Sequence, residues 1–272
     1  MRFPRRYAAV PDIEIAGVYA ALLAFGRVDL FGAVLDRLFR IMDDAGGPHA
    51  WVLDFDAGRA AALEQIHYRW FRPEDFVLLT RTMQAVYRRH AGLEELFQAP
   101  EPSLKPALGG AINVLRGLVP GTPSRAFGTW LPHPDEGSAC KRWLMFLRWM
   151  VRRDGVDVGV WSVLSPRDLV IPLDTHVMRI SGFLGLTDRH TPNWATAEDV
   201  TASLRRYDPE DPVRFDFALA HLGISGACRG FRDPAVCAQC PLDRLCSASE
   251  VSPARPPAPA STSTRTPRSP RR

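Results

Sequence analysis

Four cysteines near the end of the chain stand at Cys228-x8-Cys237-x2-Cys240-x5-Cys246. Four thiolates within nineteen residues, two of them in a C-x2-C pair, are able to close around one metal centre. A compact C-x2-C-x5-C loop suits a 4Fe–4S cluster. A structural zinc site uses similar pieces, although a zinc ribbon more typically carries two C-x2-C knuckles; unmetallated cysteines are the third reading. Arg229, Arg232 and Arg244 lie among the thiols, where they would offset a cluster's negative charge or face a DNA backbone. Cys140 stands apart and reads as a small core residue near a helix start.

The second chemical signal is a scarcity. Of the 34 basic residues, only Lys105 and Lys141 are lysines. Arginine replaces lysine as a charge but not as an amine nucleophile, which makes a surviving lysine worth following. Lys141 opens an amphipathic helix. Leu144, Leu147 and Val151 share its buried face, and Lys141, Arg148 and Arg152 form an i, i+7, i+11 stripe. That stripe is either a solvated basic face or the wall of a cleft that touches phosphates. Asp174 follows Pro172 and precedes an apolar-periodic run, so on local physics it is a helix N-cap. His176 beside it reads as structural, and Trp143, Trp149 and Trp161 read as core. Asp154, Asp157, Asp208 and Asp211 lie near Gly or Pro, where carboxylates serve turns and caps.

The elements that must position these groups are helical. Asp12 opens an apolar helix that runs to Phe25, with Gly26 as its stop. Val28 to Met42 repeats Leu30, Val34, Leu38 and Ile41 at helical spacing. Pro73-Glu74-Asp75 is a helix first turn leading into Phe76–His90. Further helices are expected over 105–118, Cys140–Arg153, Ala197–Tyr207 and Val213–Leu222. The proline-rich stretch 119–138 is expected as a loop or hairpin. Alternating strand-like runs are scarce, so the expected fold class is all-α.

Composition narrows the setting. The chain has 272 residues, 46% of them hydrophobic, enough for a sizeable core. It has no apolar run long enough to span a membrane and no signal-peptide-like start, which sets the expectation of a soluble cytoplasmic protein with reduced thiols. The formal charge of +4 misleads. From Ala248 onward five arginines face one acid, so residues 1–247 are formally neutral. That Pro/Ser/Thr/Arg tail, 248–272, has no apolar bulk and is expected to be disordered.

Asp174-Thr175-His176-x-x-Arg179 resembles the V-D-T-H-x-x-R segment of the endonuclease III-like helix-hairpin-helix DNA glycosylases. The cysteine ladder follows it in their order; their spacing is C-x6-C-x2-C-x5-C, and only the first interval is longer here. Gly137-Ser138-Ala139-Cys140-Lys141 is similar to their G-V-G-R-K, and Ile171-Pro172-Leu173-Asp174 to the I-P-V-D of an archaeal 8-oxoguanine branch. More narrowly, residues 3–246 resemble an uncharacterised bacterial protein family. Its marks here include Asp12-x-Glu14-Ile15-Ala16, Ser138-Ala139-Cys140-Lys141-Arg142, Val156-Asp157-x-Gly159-x-Trp161 and Asp208-Pro209-x-Asp211-Pro212.

The resemblance implies a two-lobed glycosylase-like fold, with a helical lobe over approximately 20–165 and a cluster lobe formed by 1–19 plus 166–247. It implies a base-excision DNA glycosylase, with AP-lyase activity if Lys141 forms a Schiff base assisted by Asp174. The alternative is a non-catalytic iron–sulfur nucleic-acid-binding protein on the same scaffold. Arg142, Arg148, Arg152, His176 and Arg179 are the DNA-binding candidates, and Cys228, Cys237, Cys240 and Cys246 the metal ligands. The partner would be double-stranded DNA, with no membrane, a monomer by default and a place on the nucleoid. Three features depart from the glycosylase pattern, the first being that the S-A-Q-x-T wedge segment of endonuclease III has no clear match, with Ala21-Leu22-Leu23-Ala24-Phe25-Gly26 in a comparable place. Leu131–Gly137 stands where the family has its L-P-G-V-G hairpin, and 32 residues separate Lys141 from Asp174, more than in endonuclease III.

Overall fold

The computed structural model describes residues 1–98 and 103–248. All but Ala248 of the tail expected to be disordered lies outside the described residues. Among those residues the chain is helical, with two isolated β-bridges and no strand.

A central helix, α1 (Val10–Leu23), is buried on every side from Ile13 to Leu23. A helix apolar all round belongs inside a core, and its neighbours form in sequence around it. The amphipathic α2 (Val28–Asp44) buries Val34, Leu35, Leu38, Phe39 and Met42. Two short helices, α3 (Pro48–Leu53) and α4 (Ala57–Ala61), precede α5 (Pro73–Tyr87). Next come α6 (Leu104–Leu118) and a turn of helix α7 (Arg125–Gly128) in the proline-rich stretch. Then α8 (Lys141–Val151) returns to pack along α1. Gly17 permits that approach, because a Cβ there would lie 2.9 Å from Phe146 and 3.0 Å from Met150.

The remaining helices are α9 (Thr175–Phe183), α10 (Trp194–Arg205), α11 (Asp216–Ile224) and the four-residue α12 (Pro234–Cys237). α11 packs on α9, and α10 on the 3-10 turn Pro212–Phe215. One apolar cluster runs from Phe3 to Leu219.

Residues 10–19, expected with the cluster lobe, sit instead among the helices of 28–161. Asp12 accepts the N–H of His49 at 2.7 Å. The buried Glu14 accepts from Tyr87 (2.6 Å), Trp161 (2.7 Å) and the backbone N–H groups of Leu93 and Glu94. A buried carboxylate persists only when its oxygens are satisfied in this way.

The basic stripe of α8 turns inward. Arg148 and Arg152 are buried, and each bridges carboxylates from distant segments. Arg148 pairs with Asp157 at 3.2 Å and with Asp216; Arg152 pairs with Asp157 at 2.6 Å and Asp211 at 2.8 Å. The expectation that these two arginines meet DNA phosphates is therefore corrected: both guanidiniums are buried and paired with the carboxylates of Asp157, Asp211 and Asp216. Asp157 is likewise a core ion-pair partner, whereas Asp154 and Asp208 do cap backbone N–H groups in turns.

Candidate functional site

A cleft of about 1040 Å³ opens where the ends of α1, α8 and α9 converge. Lys141 and Asp174 both line it, so the structure brings together two residues separated by 32 others in the chain. Arg142 and His176 line it as well.

Each wall has a local cause. Lys141 is the first residue of α8, and the residue before it, Cys140, adopts a left-handed φ of 47°. A non-glycine residue there costs on the order of 1 kcal/mol, and it turns the chain abruptly from the 131–139 segment into the helix. The Cys140 thiol is buried against the Pro132 carbonyl at 3.5 Å, and burial pushes its pKa up to about 11. It is a neutral core thiol. On the facing wall, Asp174 caps α9: its Oδ1 accepts from His176 and Val177 N–H, both at 2.8 Å. The local reading of Asp174 as an N-cap is thus correct, and the same residue lines the cleft.

Burial and charge act on the amine in opposite directions, and burial is the larger. Lys141 is half-buried, and its only side-chain contact of hydrogen-bond type is to Met145 Sδ at 3.7 Å. Burial lowers its pKa below the usual lysine value. Asp174 and Asp216 oppose that shift, and Arg142 and Arg148 add to it. Asp216, which sequence reasoning did not single out, is buried at the start of α11 and held by Arg148. Its burial pushes its pKa up to about 6. An acid opening an otherwise apolar helix was the available signal.

The other expected DNA contacts divide. Arg142 donates to the Leu22 carbonyl at 3.0 Å and the Thr129 carbonyl at 2.7 Å, clamping α1 to α8 beneath the cleft. His176 packs on Gly223, where a Cβ would meet its Nδ1 at 2.4 Å. Arg179 packs on Gly230, in the loop that carries the cysteines. His176 Nδ1 and Arg179 Nε are buried with no hydrogen-bond partner.

Cys228, Cys237, Cys240 and Cys246 are free thiols, each half-buried. Asp233 starts the short turn of helix that ends at Cys237, and Arg232 ties the loop through Asp243 at 2.8 Å. Ser247 N–H returns to the Phe183 carbonyl of α9 at 2.8 Å. Among the described residues, no three Cys, His, Asp or Glu side chains converge as a metal site. The donor chemistry nonetheless fits a thiolate-ligated centre: four unpaired thiols in one loop, with the Arg179 guanidinium and its unpartnered donor packed against it.

Residues 1–225 match the family described as "Protein of unknown function (DUF2400)", and the chain belongs to that family. The match ends before Cys228, so all four cysteines lie beyond it. No curated protein and no solved structure matches the chain. Among the described residues, no helix is long and apolar enough to cross a membrane.

Proposed function

We propose that this member of the family is a DNA base-excision glycosylase with AP-lyase activity, with Lys141 as its nucleophile and Asp174 as its assisting carboxylate. The observation that carries the reading is the shared cleft: a lysine with a lowered pKa on one wall and a carboxylate with one oxygen outside its cap bonds on the other.

The chemistry follows from those two groups. A damaged nucleotide turned out of the duplex would present its sugar to the cleft. The neutral Lys141 amine attacks the anomeric carbon, the glycosidic bond breaks, and the base leaves with the bonding electron pair and takes up a proton. Asp174 stabilises the positive charge that develops on the sugar and takes protons from the amine as the sugar ring opens to a Schiff base. Burial serves the first step directly, because it raises the fraction of Lys141 that is unprotonated near neutral pH.

We assign Cys228, Cys237, Cys240 and Cys246 as ligands of a 4Fe–4S cluster. Its contribution when bound would be to cross-link the loop 228–246 against α9.

The test is borohydride trapping on duplex DNA that contains an abasic site, a substrate that needs no knowledge of the damaged base. A covalent adduct is expected with the wild-type protein and none with Lys141→Ala. An adduct that persists in Lys141→Ala overturns the assignment of the nucleophile. DNA binding without any adduct removes the lyase chemistry.

A further inference from the structure

The proposed chemistry leaves one feature of the cleft unused. On its α1–α2 side the chain makes a tight two-residue turn. Tyr68 N–H donates to the Phe71 carbonyl at 3.1 Å, Phe71 N–H donates to the Tyr68 carbonyl at 2.9 Å, and Arg69-Trp70 forms the tip. Arg69 holds a φ of 54°, a conformation unfavourable for a long side chain. The tip is fastened to the end of α1, because the Tyr68 hydroxyl donates to the Phe25 carbonyl. Gly26 leaves room for that contact; a Cβ there would lie 2.9 Å from the hydroxyl.

The result is an indole lifted out of the core. Trp70 is 54% exposed and stacks on Phe25, with ring centroids 5.3 Å apart and planes 29° apart. Both rings line the same cleft as Lys141 and Asp174. Phe25 is itself braced edge-on by Tyr68 and Phe71. Two guanidiniums flank the pair: Arg69 lies 5.6 Å from the Trp70 centroid, and Arg142 lies 5.4 Å from that of Phe25. A fixed aromatic face beside fixed cations is the arrangement that stacks a base next to its phosphate. Core packing does not explain it, since every other tryptophan of the described residues is buried.

Resting on the glycosylase reading, we infer that Trp70, backed by Phe25, is a stacking platform for an unpaired nucleobase of the bound duplex, and that the cleft thereby selects DNA with a base out of its pair. Trp70 acts here as a binding and specificity residue, separate from the chemistry at Lys141.

The experiment uses the full chain and two duplexes that differ at one position. In one, 2-aminopurine sits in a single-base bulge; in the other, it is paired with thymine. The expected result is that wild type binds the bulged duplex more tightly and quenches its fluorescence. Trp70→Leu, which keeps apolar contact with Phe25 but lacks a π face, should lose roughly tenfold in affinity for the bulged duplex together with the quench. Its affinity for the paired duplex should stay unchanged, and Trp70→Phe should retain most of both effects. Circular dichroism that matches wild type establishes that both variants fold. Trp70→Leu that behaves as wild type on both duplexes, or that weakens both equally, overturns this inference and leaves the lysine chemistry standing. Wild type that binds neither duplex overturns both.

Discussion

The cleft and the cysteine loop are built on opposite plans. Eight of the eleven residues of α8 are buried, and that helix carries Lys141 into the cleft on the back of the whole core. From residue 220 to residue 247 no side chain is buried, and the loop's regular structure amounts to the end of α11, four residues of α12 and the turn Asp243–Leu245. Its ties to the rest of the molecule include the Ser247 N–H to the Phe183 carbonyl and the contacts of Gly223 with His176 and of Gly230 with Arg179. The difference teaches where organisation comes from. The positions of Lys141 and Asp174 are fixed by packing that exists without any ligand. The loop that carries the four thiols, by contrast, has almost no apolar burial to hold it in place.

The comparison breaks first at Arg148. Arg148→Ala leaves Asp157 and Asp216 buried without their shared cation, and breaking a buried pair in this way costs about 3–5 kcal/mol. We expect a loss of that size in chemical denaturation. A loss under about 0.5 kcal/mol, the level of an ordinary surface change, would show that the core does not depend on this network.

The loop responds differently. In metal-free protein, Cys237→Ser should change stability by no more than about 0.5 kcal/mol, because the thiol is not in the core. After anaerobic reconstitution with iron and sulfide, the wild type should gain the broad visible absorption of a thiolate-bound cluster, and amides of 223–247 should gain protection from hydrogen exchange. Cys237→Ser should show neither. A colourless protein that instead binds one zinc ion per chain would reassign the site to zinc, and equal protection before and after reconstitution would mean that the loop is closed without a metal.

The long helices were legible because their periodicity and caps are local. Pro73 as the start of α5 is decided within a few residues, whereas α1 ends at Leu23, short of the stop expected at Gly26. The six- and five-residue helices α3 and α4 are too short for a periodicity to speak. The stripe Lys141–Arg148–Arg152 was legible as a set but not in its destination. A helical wheel tells which residues share a face and is silent on what that face meets. The partners of Arg148 and Arg152 include Asp216 and Asp211, 68 and 59 residues further along the chain. Trp70 was invisible for a related reason. A tryptophan next to Phe71 reads as core, and only the left-handed turn at Arg69 directs it outward.

Asp216 sharpens the comparison most finely, since it opens the helix that leads from the core into the cysteine loop and also faces the cleft lysine. When ionised, its carboxylate raises the pKa of Lys141. Asp216→Asn removes that charge, so the Lys141 pKa falls further and the acid limb of the trapping rate, which requires a neutral amine, should move to lower pH. Stability gives the matching sign. Burial raises the folded-state pKa of Asp216 to about 6 from 3.8, so its contribution is fully present below the lower value and is lost as pH rises through the higher one. Wild type should therefore lose stability relative to Asp216→Asn between those two values, and the difference should be flat above them. An acid limb that stays in place in the variant would mean that Asp216 serves Arg148 alone, and that burial by itself sets the reactivity of the lysine.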